Sequence, residues 1–214
     1  DEDGWSMAAL KDIDANTTVY FSDNEWNGLA IGSGGAFNTG ESFHQWVSGA
    51  SAINAGTVVR FSAIDNATNL AASVGVLSRA TVTGSTNYGT NQTADTVYAY
   101  LGASPTAPTT FLGAITNNGA GFNATEGLIT NTGLSLGASA MKLSGSSDYA
   151  EYTGIRSGKT AFGEYLPLVG NVANWNVLGD GSFAANVPNT TAFTVTPVPE
   201  ASEYMMMLAG LGLV

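Results

Sequence analysis

The chain advances in short runs of β-branched and aromatic residues, each closed by glycine, asparagine, aspartate or proline, and that punctuation points to an all-β fold. The clearest runs are Thr17–Ser22, Ser42–Val47, Thr57–Ile64, Thr96–Leu101 and Thr190–Thr196. Residues of this kind suit a pleated, half-buried surface. Turn-forming stretches such as Gly32–Gly35, Asn117–Gly121 and Gly179–Gly181 lie between them. In the third run Val58, Arg60 and Ser62 alternate with Val59, Phe61 and Ile64, a half-buried pattern with one break near its end. Val97 and Ala99 alternate with Tyr98 and Tyr100, so both faces of that strand are expected to be covered. Helical spacing appears only around Ala161–Trp175, through Phe162, Tyr165, Leu166 and Val169. The expected fold is an antiparallel β-sandwich, jelly-roll-like, with one or two short helices and an apolar C-terminal tail. Val19, Phe21, Val59, Phe61, Val97 and Tyr98 are the expected core.

Length sets the organisation. A chain of 214 residues can bury a full core without staples. One domain is expected over residues 1–185, then a proline-containing strand and linker over 186–200 with Pro188, Pro197 and Pro199, then an apolar tail over 201–214. The chain opens on Asp1-Glu2-Asp3-Gly4-Trp5 with no signal peptide, so an export signal is expected to have been removed or to lie outside the numbered sequence.

Charge narrows the partners. Acidic residues outnumber basic ones 17 to 6, for a net charge of −11. The cations Lys11, Arg60, Arg79, Lys142, Arg156 and Lys159 are scattered along the chain, so a phosphate polymer is repelled and nucleic acid is not an expected partner. An anionic membrane surface is disfavoured for the same reason, whereas divalent cations are attracted. With no cysteine, thiol catalysis, iron–sulfur clusters and a disulfide framework are excluded. His44 is the only histidine, which rules out a two-histidine metal site within one chain. No catalytic set stands out, and no enzyme activity is expected. Asp1/Glu2/Asp3, Asp12/Asp14, Asp23/Asn24/Glu25 and Asp148/Glu151 offer hard oxygen ligands of the kind calcium takes, though the same residues are ordinary turn formers. No other cofactor is expected. Trp5, Trp26, Trp46 and Trp175 serve either as core or as a glycan-stacking face.

The C-terminus carries a more specific signal. Val198, Pro199 and Glu200 are followed by Ala201, Ser202, Glu203 and Tyr204, and then by an unbroken apolar run, Met205–Val214. This order resembles the PEP-CTERM sorting signal of Gram-negative bacteria, with Ala201 where the family has its second proline and without the family's closing basic cluster. The resemblance implies export, transient membrane anchoring through the tail, cleavage near Pro199-Glu200 by an exosortase-like protease, and a place on the cell surface or in the extracellular matrix. In the body, Asp12–Gly28, Asp95–Gly102 with Pro108–Leu112, and Tyr152–Trp175 resemble an extracellular bacterial β module sometimes found upstream of secreted nucleases. That module usually carries a strand before the position of Asp1, so the first strand is expected to be missing. It retains Asp23 and Glu25, which makes these two the expected calcium ligands.

The expected function is that of a non-enzymatic extracellular structural protein, assembling with copies of itself in a biofilm matrix or surface filament through tail or strand exchange. The tail residues expected to carry assembly are Tyr204, Met205, Met206, Met207, Leu208, Leu211, Leu213 and Val214. Exopolysaccharide is a further expected partner. The alternatives are a glycan-binding or adhesive surface module and an accessory domain related to secreted nucleases.

Overall fold

The computed structural model describes residues 3–91 and 93–196. The sorting-signal residues Val198, Pro199 and Glu200 and the assembly tail Tyr204–Val214 therefore lie outside the described residues. Eleven strands carry most of the regular structure: β1 (Gly4–Ala8), β2 (Thr18–Ser22), β3 (Phe43–Val47), β4 (Val58–Ser62), β5 (Ala71–Ala72), β6 (Val76–Arg79), β7 (Thr96–Ser104), β8 (Ala107–Thr116), β9 (Ala140–Lys142), β10 (Tyr149–Tyr152) and β11 (Trp175–Leu178). Among the described residues the single α-helix, α1, is the four-residue Leu166–Val169, flanked by two 3₁₀ turns.

The strands form a six-stranded sheet in the order β6-β3-β2-β7-β8-β9, a three-stranded sheet β1-β4-β5, and a two-stranded sheet β10-β11. All ladders are antiparallel except that between β8 and β9, so the main sheet is mixed and not purely antiparallel as expected. The cause is the excursion after Thr116. It carries Phe122, Ile129 and Leu134 over the sheet and returns to start β9 beside Ala114, so β9 runs in the direction of β8.

Strand alternation sends side chains to two cores. From β2 and β7, Val19, Phe21, Ala99 and Leu101 point to one face, where Trp46, Leu77 and, from the three-stranded sheet, Val59 and Phe61 meet them. Phe21 and Phe61 are each 1% exposed, with ring centroids 4.8 Å apart. Burying side chains of this size contributes roughly 1.5–3 kcal/mol each. Tyr20, Tyr98 and Tyr100 point to the opposite face and pack with Phe111, Trp26 and Phe37. The central strands β2 and β7 thus pack apolar or aromatic side chains on both faces of the main sheet. A third, smaller cluster joins Val58, Tyr152, Tyr165 and Phe193.

Five of the six expected core residues are buried, and Val97 is only half-buried. It lines a groove instead. Residues 190–196, read as a strand, make a single parallel bridge, Lys159 to Val195. Their β-branched and aromatic content serves side-chain packing instead. Phe193 is buried, its backbone N–H donates to the Gly56 carbonyl (2.8 Å), and the Tyr165 hydroxyl donates to the Thr194 carbonyl (2.6 Å). Through Thr196, packing continues past the boundary expected near residue 185.

Candidate functional site

A strand needs a neighbour on each side to satisfy its backbone, and an unpaired edge is a template for another chain. Among the described residues β1 pairs only with β4, and β10 only with β11. The two strands border the same groove, of about 660 Å³, which is lined by Gly4, Trp5, Ser6 and Ala8 on one side and by all four residues of β10 on the other. Its floor is the uncovered part of the main sheet, Val97 and Ile115, together with Leu143. Trp175, Phe183 and Phe193 also line it, with Asn186, Pro188 and Asn189, and charges of both signs belong to the lining: Asp3, Asp148, Glu151 and Asp180 with Arg60 and Arg156. Burial raises the Asp3 carboxyl above its usual range, and the nearby Asp65 and Asp148 add to this. The groove thus lies between two strand edges and carries both apolar and charged lining residues.

A second feature lies where β2 runs on past Ser22, between the starts of β3 and β7. Asp23 is 3% exposed. Its Oδ1 accepts from the Ser42 backbone N–H (2.7 Å) and hydroxyl (2.6 Å), while its Oδ2 is buried without a partner. Glu25 Oε2, Glu41 Oε2 and the Thr96 hydroxyl are likewise buried and unpartnered. Desolvation by burial pushes Glu41 up to about 8, Asp95 to about 7 and Asp23 to about 6. Each is raised further by like-charged neighbours in the same group, which includes Glu25 and Glu126. The expected pair Asp23 and Glu25 is therefore part of a larger acidic cluster. Even so, among the described residues no three Asp, Glu or His side chains are grouped so that they could hold a metal ion.

His44 is fully buried in β3, its ring set edge-on to Trp5 and Tyr88 at 5.6 Å each. Desolvation lowers its pKa to about 4, so it is neutral at pH 7. Its Nδ1 is buried without a partner, and Nε2 lies 3.5 Å from the Ile64 carbonyl. Of the four tryptophans, Trp26 and Trp46 are core, whereas Trp5 and Trp175 are half-buried and line the groove.

Sequence reasoning missed Glu41 and Asp95, which join Asp23 only through the pairing of β2 with β3 and β7. It also missed the groove, whose walls come from both ends of the chain. No protein family, no curated protein and no solved structure matches this chain. No helix among the described residues is long and apolar enough to cross a membrane.

Proposed function

We propose that this protein is a non-enzymatic structural component of the bacterial cell surface or extracellular matrix, built on a jelly-roll-like sandwich and assembling with copies of itself. The observation that supports the reading best is the groove bordered by two strand edges that have no strand partner among the described residues. The PEP-CTERM-like tail supplies export and brief anchoring, and the copies that assemble are those that still keep Ala201–Val214, before an exosortase-like protease cuts near Pro199-Glu200. The low proportion of charged residues, 11%, suits a protein that packs against its own kind.

The acidic cluster has a role in this reading as a calcium-responsive element. Asp23, with its unpartnered buried oxygen, anchors it, and Glu25, Glu41 and Asp95 stand close enough to repel one another. A divalent cation would relieve that repulsion by drawing these carboxylates together. A second reading, a glycan-binding surface module, draws on the half-buried Tyr149, Trp175 and Phe183 beside Asn91, Asn117 and Asn189 in the same groove.

The test is assembly. The full chain should sediment as long polymers that electron microscopy shows as filaments, and deletion of Ala201–Val214 should leave a folded monomer. Unchanged polymers after the deletion would refute tail-driven assembly. A full chain that stays monomeric and instead binds exopolysaccharide would favour the glycan reading.

A further inference from the structure

A slot between two strand edges selects its occupant by three properties: an extended backbone, an apolar residue at every second position, and little charge. Three observations point to one segment of this chain. First, the floor formed by Val97, Ile115 and Leu143 requires apolar side chains on alternate residues of whatever lies above it. The stretch Ala209-Gly210-Leu211-Gly212-Leu213 has this period: Ala209, Leu211 and Leu213 fall on one face, and Gly210 and Gly212 on the other. Second, charges of both signs line the groove, Asp3, Asp148, Glu151 and Asp180 with Arg60 and Arg156, and residues 204–214 bring no charged side chain that would need a partner there. Third, the chain turns away from the groove near its last described residues. The stretch from Asp180 to Asn189 contributes to the lining, as does Phe193, but Thr194, Val195 and Thr196 do not. These three run instead along Arg156 and Lys159, with Thr194 N–H donating to the Arg156 carbonyl and Thr196 N–H to that of Lys159, each at 2.8 Å. The 18 residues from Pro197 to Val214 span up to about 60 Å when extended, enough to reach a neighbour.

We propose that Ala209–Leu213 of one copy inserts as a strand between β1 and β10 of the next, with Leu211 and Leu213 on the floor of Val97 and Ile115. The inserted strand pairs with the Gly4–Ala8 edge on one side and the Tyr149–Tyr152 edge on the other, joining the three-stranded and two-stranded sheets into one layer over the main sheet. This is strand addition of the kind by which extended peptides complete open sheets. Each copy both gives and receives a strand, so the contact is head-to-tail and propagates. The inference rests on the self-association proposed above and assigns its two contact surfaces.

Complementation between two full-length variants tests it. Ile115→Lys places a charge on the slot floor, leaving a copy that can donate but not accept. Leu211→Asp with Leu213→Asp leaves a copy that can accept but not donate. Each alone should sediment as a monomer, and an equimolar mixture should give a 1:1 dimer that grows no further. Ile115 is half-buried, and a circular dichroism melt verifies folding, with Val97→Lys as the substitute acceptor-blocked variant if Ile115→Lys fails it. If either variant alone still polymerises as the wild type does, the slot assignment is wrong while self-association stands. If both are monomeric and the mixture gives no dimer, strand exchange is overturned. If the wild type is itself monomeric at every concentration, both readings fail.

Discussion

Replacing Phe193 with alanine measures how firmly the last described segment is held to its own domain. Phe193 is 4% exposed and lies 4.9 Å from Tyr165 and 5.6 Å from Tyr152, centroid to centroid. The Arg156 guanidinium sits 4.9 Å from its ring centre and donates to the carbonyls of Thr191 (2.8 Å) and Asn189 (3.1 Å). A buried phenylalanine removes about 150–250 Å² from water. At ~25 cal/mol per Å² that is about 4–6 kcal/mol for the whole side chain, an upper bound. Alanine retains part of this, and measured Phe→Ala costs cluster at about 3–5 kcal/mol. For a domain of this size each kcal/mol lowers Tm by roughly 2–4 °C, so Phe193→Ala should melt roughly 6–20 °C below the wild type. Urea denaturation should give the same loss with the slope unchanged. Gly56→Ala is an independent check: Gly56 has φ of +92°, and a Cβ there would collide with the Phe193 carbonyl oxygen. A loss below about 1 kcal/mol for Phe193→Ala would contradict the packing described for residues 190–196.

Acid should weaken the fold through His44. Burial lowers its pKa from 6.5 to about 4, so its contribution is complete above pH 6.5 and is lost as pH falls through 4. At about 1.4 kcal/mol per unit this amounts to about 3 kcal/mol. The stability of the wild type relative to His44→Phe should fall by about that much between pH 7.5 and pH 4, and parallel curves would refute the assignment. Calcium should raise Tm at pH 7.5 relative to a chelator. A ligand at 100 times its Kd adds about 2.7 kcal/mol, or roughly 5–10 °C. The rise should vanish in Asp23→Asn, and equal Tm values in wild type would retire the calcium role.

The strands legible in the sequence are those whose residues reveal both composition and period. Thr18–Ser22, Phe43–Val47, Val58–Ser62 and Thr96–Ser104 all fall on predicted runs. β1 escaped because Gly4, Ser6 and Ala8 give its outer face no β-branched residue, although Trp5 and Met7 pack against the main core. Residues 190–196 show the converse. Their composition suits a strand, but strand formation needs a free edge to pair with, and the chain there follows Arg156 and Lys159 through isolated contacts. At the acidic cluster, Asp23 and Glu25 were legible because they sit together in one turn-like motif. Glu41 and Asp95 are distant in sequence and meet them only across the β3-β2-β7 ladders. The groove was the least legible feature, because it is lined by strands from three separate sheets, whose meeting no local pattern of residues announces.

Head-to-tail strand exchange is the central claim, and cysteine cross-linking between two populations tests it most directly. The chain has no cysteine, so any disulfide reports an introduced pair. One population carries Ser6→Cys, at an exposed position on the β1 edge, and the other carries a single cysteine in the tail, scanned over Leu208, Ala209, Gly210 and Leu211. Mixing them under mild oxidation should give a covalent heterodimer, strongest at one tail position and its alternate neighbour. With both cysteines in one chain, the products should be covalent ladders of many copies. Cross-linking confined within single chains, or absent at every tail position while polymers persist, would contradict strand exchange.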